Sequence, residues 1–217
     1  MNKAPKLHQN QSGIVHLAVI VVVVLIIVVV IISIASGSLK FSASITDTSS
    51  NNAQQSGQTP SVPESKPKAY QNEKYGIALE YPASWSLKES PAESYIVAFF
   101  SPKDSESDTY LENLGVKAID VSAQPDITLQ EVADLWENQT KEAVPTFSVV
   151  ERKSSTLSGE ATMDLVYTFQ ESEGAAKGMT KMTLKNNTAY IFQFSALETG
   201  YTKYLSDIEA ILASVRF

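Results

Sequence analysis

The sequence predicts an α+β protein with an N-terminal transmembrane helix, a linker, and one sandwich domain whose sheet is mainly antiparallel. Three observations lead to this prediction. Residues 14–34 form an almost unbroken run of Val, Ile and Leu, and residues 36–69 are rich in Ser, Thr, Asn, Gln and Pro. From residue 70 onward, apolar and polar side chains alternate, and two stretches change to the helical period of 3.6 residues.

The apolar run predicts a single transmembrane helix over residues 14–35. About 20 apolar residues match the ~30 Å hydrocarbon core of a bilayer, where only a helix satisfies its own backbone. Lys3 and Lys6 lie in the short tail of residues 1–13, and basic residues favour the cytoplasmic side. We therefore expect the lipid bilayer as a partner, a cytoplasmic N-terminus, and the rest of the chain outside the cell membrane.

Two other interpretations of the N-terminus stay open. A cleaved signal peptide would use the small residues at 33–35, although the apolar region of such a peptide spans only about 7–15 residues. A pilin-like structural subunit would be processed after residues 11–13, before Ile14. The acidic residue expected five places into such a mature chain is replaced here by Ala18.

The remaining chain divides into a linker and a domain. Residues 36–69 predict a flexible linker, because almost no large apolar side chain follows Ile45 and a packed core cannot form. Residues 70–217 are long enough for one domain with its own core. This domain has 12 Lys and Arg against 22 Asp and Glu, a net charge of −10. Such a charge argues against nucleic acid as a partner, because phosphates require cations.

Strands are predicted where apolar and polar residues alternate and where Pro, Gly or Asn ends the pattern. Turn signals at Ser158-Gly159 and Asn186-Asn187 separate three of the later strands, since Gly and Asn tolerate positive φ. The polar, acidic residues 103–113 predict a loop. The predicted strands are residues 75–82, 85–88, 95–100, 114–121, 147–153, 161–170, 179–184 and 189–196.

Two helices are predicted from the change of period. Thr128 and Glu131 have the spacing of a capping box, and one apolar face follows as far as about Lys141. Pro145 prevents the helix from continuing. A second apolar face at helical spacing predicts a C-terminal helix over residues 201–213, followed by a short closing tail.

The start of the domain resembles PsbP-like domains. Residues 70–85 read YQNEKYGIALEYPASW, which is similar to the Tyr-Gly, Tyr-Pro and Trp pattern of that family's first hairpin. The segment FFSP at 99–102, the helix start at Thr128 and the C-terminal SVRF are also similar. The resemblance covers residues 70–217 and implies the α/β/α sandwich of the Mog1/PsbP-like fold. It further implies a partner-binding domain that is not catalytic.

The domain lacks the residue types of the commonest catalytic sites. The chain has no Cys, and both of its His residues, His8 and His16, precede the domain. A Ser-His-Asp triad, a Cys-His pair and a His/Cys zinc site therefore cannot form within it. We expect no catalytic residue and no cofactor.

Two weaker chemical hypotheses remain. Asp104, Glu106 and Asp108 occupy alternate positions of the acidic loop and could supply oxygen ligands to Ca²⁺, although the glycine and distal Glu of an EF-hand are missing. Ser154 and Ser155, which follow Lys153 in sequence, could belong to a serine hydrolase. A solvated acidic loop and ordinary surface residues are the simpler interpretations.

Aromatic residues near the start of the domain could line a ligand groove, but they are more typical of a core. These residues are Tyr75, Tyr81, Trp85, Phe99 and Phe100.

Taken together, the sequence predicts a membrane-tethered, non-enzymatic PsbP-like module that binds a protein or envelope component outside the cytoplasmic membrane. The alternatives are a carboxylate-dependent domain for a metal or small ligand, and a pilin-like subunit.

Overall fold

The computed structural model describes residues 66–91 and 95–217. The predicted cytoplasmic tail, the predicted transmembrane helix and nearly all of the predicted linker lie outside these residues. So do the two alternative processing sites. Among the residues described, no helix is both long enough and apolar enough to cross a membrane.

The described residues form nine strands and two α-helices, with every strand pair antiparallel. A 3₁₀ turn at Glu73–Tyr75 joins the first two strands. The elements are β1 Lys68–Asn72, β2 Ile77–Tyr81, β3 Ser86–Glu89, β4 Tyr95–Phe100, β5 Asn113–Asp120, α1 Leu129–Ala143, β6 Ser148–Leu157, β7 Glu160–Glu171, β8 Gly174–Lys185, β9 Thr188–Leu197 and α2 Glu198–Ser214.

Strands β1 and β2 form a separate hairpin, and the other seven strands form one sheet in the order β3-β4-β5-β9-β8-β7-β6. Helix α1 carries the chain from β5 to the far edge at β6, and the last strands return until β9 pairs with β5. The predicted turns connect strands of this return path. Ser158 and Gly159 have φ of 51° and 85°, and Asn186 and Asn187 have φ of 50° and 57°.

The two helices cover opposite faces of the sheet, because alternate residues of β9 enter two different clusters. Tyr190 and Phe192 pack in the cluster that contains Ile208 of α2. Ala189 and Ile191, between them in sequence, pack in the cluster of α1. The structure is therefore an α/β/α sandwich, and we call the two sides of the sheet the α1 face and the α2 face.

Helix α1 begins as the sequence predicts. The Thr128 hydroxyl accepts the backbone N–H of Glu131 at 3.2 Å, and the Glu131 carboxylate accepts the Thr128 N–H at 2.8 Å. The helix continues to Ala143, two residues beyond the predicted end, and the chain has left it before Pro145.

Several element boundaries differ from the prediction for a common reason. The first strand begins at Lys68, two residues before the predicted domain start, because it pairs with Tyr81. Strand β8 begins at Gly174 rather than near residue 179, because that stretch pairs with β7 and β9. The closing tail is also used: Arg216 and Ala78 exchange two backbone hydrogen bonds. In each case a partner strand supplies hydrogen bonds that local propensity does not indicate.

Candidate functional site

The acidic loop that could have held Ca²⁺ uses its first carboxylate to attach to α2. Asp104 forms an ion pair with Lys203 and accepts a hydrogen bond from the Tyr204 hydroxyl at 2.9 Å. The hydrogen bond from Lys203, followed by that from Tyr204, lowers the pKa of Asp104 below its ordinary value. This side chain therefore fixes the loop against the helix.

The last of the three carboxylates closes the same loop on itself. Asp108 accepts the backbone N–H of Asp104 at 2.9 Å and the backbone N–H of Tyr110 at 3.1 Å. Glu106 is exposed. Within residues 66–91 and 95–217, no group of three or more His, Cys, Asp or Glu side chains is arranged to hold a metal ion. The structure thus brings Asp104 and Asp108 together as loop-forming groups.

Ser155 belongs to a polar network on the α2 face. The ammonium nitrogen of Lys181 lies 2.5 Å from the Ser155 hydroxyl and 2.5 Å from a carboxylate oxygen of Asp164. Ser155 also donates to Asp164 at 2.7 Å, and its oxygen lies 2.7 Å from the hydroxyl of Thr162. Both Asp164 and Thr162 are buried. The network joins β6, β7 and β8 through their side chains.

This network is a poor arrangement for nucleophilic catalysis. A serine nucleophile needs a neighbouring base that removes its proton. Lys181 donates to Ser155 and forms an ion pair with Asp164, so it does not accept the proton of Ser155 in this geometry. Lys153, the lysine close in sequence, instead forms an ion pair with Glu151 at 3.0 Å. The contacts favour a structural role for the network.

A second polar layer crosses the sheet on the α1 face. The Tyr95 hydroxyl of β4 donates to the side-chain oxygen of Gln193 on β9 at 3.2 Å. The Thr180 hydroxyl of β8 donates to the Tyr167 hydroxyl of β7 at 3.4 Å. Lys117 of β5 lies between these strands, with its ammonium nitrogen 4.4 Å from the centroid of the Tyr95 ring. We call these five residues the tyrosine-lysine layer.

Burial controls the protonation of this layer. Lys117 has no exposed surface, and burial lowers the pKa of its ammonium to about 8. Burial also raises the pKa of the Tyr95 and Tyr167 hydroxyls well above 10. The two phenols therefore stay protonated even in the alkaline range where an exposed tyrosine ionises.

Two glycines make room for the two tyrosine rings. A Cβ atom added at Gly115 would lie 2.3 Å from a ring atom of Tyr95, and one added at Gly178 would lie 2.4 Å from ring atoms of Tyr167. Each ring thus occupies the space above a glycine of the neighbouring strand. Glycine within a strand often marks such a close approach.

The tyrosine-lysine layer was not among the sites expected from the sequence. Its signals were a lysine between apolar residues within a strand, and glycines inside strands. Neither signal shows which side chains meet, because the layer combines five strands distant in sequence. The aromatic residues proposed for a groove are mostly in the core: Tyr81, Trp85 and Phe99 are buried.

The described fold is similar to several solved structures. Cyanobacterial PsbP (CyanoP) from Synechocystis sp. PCC 6803 has 17% sequence identity and a TM-score of 0.54, over 74% of this chain and 97% of that chain. LpqN, involved in cell envelope biogenesis of Mycobacterium tuberculosis, has 15% identity and a TM-score of 0.49, over 64% and 81%. The Saccharomyces cerevisiae Ran-binding protein Mog1p has 7% identity and a TM-score of 0.45, over 70% and 95%. At 17% identity the likeness to CyanoP is one of fold.

The sequence itself carries the family relationship. No curated protein matches this chain. The model of one family, described as PsbP-like protein, matches residues 17–217, which include most of the apolar run, the polar stretch at residues 36–69 and the described domain. That match covers far more than half of the 217 residues. This chain belongs to the PsbP-like protein family.

Proposed function

We propose that this chain is a membrane-tethered, non-enzymatic PsbP-like module that binds a protein or envelope component outside the cytoplasmic membrane. The observation that carries this proposal is the order of its parts. An apolar run at residues 14–34 is followed by a polar linker at residues 36–69 and then by the PsbP-like domain. An apolar run of about 20 residues has the length of a transmembrane helix.

The contacts within the domain support binding rather than catalysis. Lys181 donates to Ser155 instead of accepting its proton, and Asp104 is occupied by Lys203 and Tyr204. Among the described residues there is no His and no Cys. The reactive groups considered from the sequence therefore act as structural contacts.

The linker determines where a partner would be met. Its 34 residues have a root-mean-square span of roughly 30–35 Å if they behave as a random coil. The domain would therefore sample a layer close to the membrane surface. A membrane protein with a folded extracytoplasmic part fits this position.

The first experiment tests the tether. Cells producing the full chain are fractionated, and their membranes are washed at alkaline pH. We expect the full chain to stay in the membrane and a variant lacking residues 14–34 to be soluble. The domain should be degraded by protease added outside the cytoplasmic membrane. A full chain released by the wash, or protected from that protease, would contradict the tether. Mass spectrometry of the mature N-terminus separates an intact chain from one that begins at Ile14.

The second experiment tests the partner. The full chain is cross-linked in intact cells, solubilised in detergent and purified by a C-terminal tag. We expect a second polypeptide in a fixed ratio to the chain. The matched control replaces residues 1–35 with a cleaved signal peptide; the released domain should recover less of that polypeptide, because it is not confined to the membrane surface. Repeated recovery of this chain without any other polypeptide would argue strongly against a binding module.

A further inference from the structure

Strand β6 forms one outer edge of the seven-stranded sheet. It runs for ten residues and pairs with β7 on one side. In the part of the chain that the structure describes, no strand lies on its other side. The strand at the opposite edge, β3, has only four residues. A long edge strand presents backbone N–H and C=O groups that can pair with a further strand.

The centre of this edge carries opposite charges at alternate positions. Glu151 and Lys153 lie on either side of Arg152 and form an ion pair at 3.0 Å. Their side chains are 52% and 55% exposed, respectively. An exposed ion pair of this kind contributes little to the stability of a domain. Both side chains can therefore exchange their partner at low cost.

Arg152 points to the opposite face, where its charge is already compensated. Its guanidinium lies 2.7 Å from a carboxylate oxygen of Asp134 and 3.4 Å from one of Glu137, both on α1. Two carboxylates thus surround one guanidinium within the same subunit. A second Arg152 brought close to the first would therefore meet a guanidinium whose positive charge is already compensated by two carboxylates.

The same edge carries an exposed apolar side chain. Val150 is 58% exposed, and among the described residues it is the one large hydrophobic side chain that is exposed. It lies at the irregularity in strand register between Val149 and Glu151. A strand placed against this edge would cover it.

We propose that β6 is a homodimer interface, at which two copies of this chain pair antiparallel about a two-fold axis at Arg152. This register places Glu151 opposite Lys153 of the partner subunit, and the symmetry repeats the pair. Moving the axis by one residue along the strand places Glu151 opposite itself or Lys153 opposite itself. Opposite charges directly across an antiparallel pair stabilise it, and like charges destabilise it.

The proposed dimer is isologous, since the same residues meet from both sides. Because the axis is perpendicular to the sheet, both α2 helices lie on the same side of one continuous sheet. The proposal does not depend on the identity of any other partner, so the dimer and the binding function can fail independently.

The test reverses the charges. The full chain in detergent is studied by sedimentation velocity over a wide range of concentrations. We expect the wild-type chain to form dimers, and E151K and K153E each to weaken dimerisation roughly tenfold or more, because each variant creates two like-charge pairs. Both substitutions are at exposed positions, so the fold should be retained. The control is E73K, which makes the same change of charge at an exposed position outside the sheet.

Complementation makes the test specific to this register. A mixture of E151K and K153E should form heterodimers, because each Lys then faces a Glu on both sides of the axis. The double variant E151K/K153E should again form homodimers. A wild-type chain that is monomeric at all concentrations would overturn the proposal. The charged side chains and the irregular register of β6 would then protect a free edge from pairing with other strands. A dimer that persists unchanged in both single variants, or a mixture without heterodimers, would overturn it equally.

Discussion

Gly178 and Gly115 determine where two buried tyrosine rings lie. Each glycine leaves a gap on the α1 face that a ring from the neighbouring strand fills. The ring of Tyr167 also packs against Trp136 and Phe147, at centroid distances of 5.3 and 4.9 Å. It therefore has little freedom to move away from an added methyl group, since protein interiors are close-packed.

We predict that Gly178→Ala lowers the free energy of unfolding by about 1–3 kcal/mol, the usual cost of overpacking a core. Urea unfolding followed by Trp fluorescence measures this change. In a double-mutant cycle with Tyr167→Leu, the cost of the Ala should become smaller, because the smaller side chain leaves room for it. An equal cost in both backgrounds would show that the ring is not the obstacle.

Lys117 is the other residue of this layer whose environment has a measurable consequence. Burial lowers the pKa of its ammonium from 10.5 to about 8. Between these two pH values the unfolded chain holds a proton that the native protein has released, so stability rises with pH in this window. Below pH ~8 both states are protonated, so the contribution of Lys117 to stability no longer changes with pH.

We predict that Lys117→Met is at least as stable as the wild type at neutral pH. Between pH ~8 and pH ~10.5, the free energy of unfolding of the wild type should rise by about 1–3 kcal/mol relative to that of the variant. Unfolding free energies measured at a series of pH values test this, with Lys103→Met at an exposed position as the control. Parallel curves for wild type and Lys117→Met would contradict the effect of burial.

At the scale of elements, helix α1 is the one that the sequence predicts best. Its N-terminus depends on contacts between residues three apart, Thr128 and Glu131, and such local contacts are visible in a sequence. The hydrogen bond from the Thr128 backbone N–H, followed by that from its hydroxyl, lowers the pKa of Glu131 below its ordinary value of 4.5. The ionised carboxylate is thus the form that caps the helix.

We predict that Thr128→Ala costs about 1 kcal/mol of unfolding free energy. The advantage of the wild type over Glu131→Gln should be complete above pH 4.5 and should disappear as the pH falls, because a lowered native pKa stabilises only the ionised form. Thermal unfolding from pH 3 to pH 7 checks this direction. An advantage that grows on acidification would show that the carboxylate is not the capping group.

The strands were harder to delimit than the helices. The start of β8 at Gly174 is a stretch of Gly, Ala and Lys with weak strand propensity. It is a strand because β7 and β9 flank it on both sides. The existence of the later strands and the positions of their turns were confirmed, whereas their ends depended on partners distant in sequence.

At the scale of the whole molecule, the charge and the sandwich give complementary information. The net charge of −10 over residues 70–217 disfavours nucleic acid, but it does not identify a surface. The strand order identifies one candidate surface, because it leaves the ten-residue strand β6 at an edge of the sheet. The proposed dimer and the proposed tether can occur together, since β6 and the apolar run at residues 14–34 are separate parts of the chain.

The sequence by itself determined the family resemblance of this protein, its α+β class and the start of α1. These depend on composition and on contacts between residues a few positions apart. The tertiary structure alone decided that Lys181, rather than Lys153, meets Ser155, that Asp104 binds α2, and that Lys117 lies over the ring of Tyr95. Those neighbours are set by strand order and register, which join residues up to about 100 positions apart, and no local pattern records that pairing.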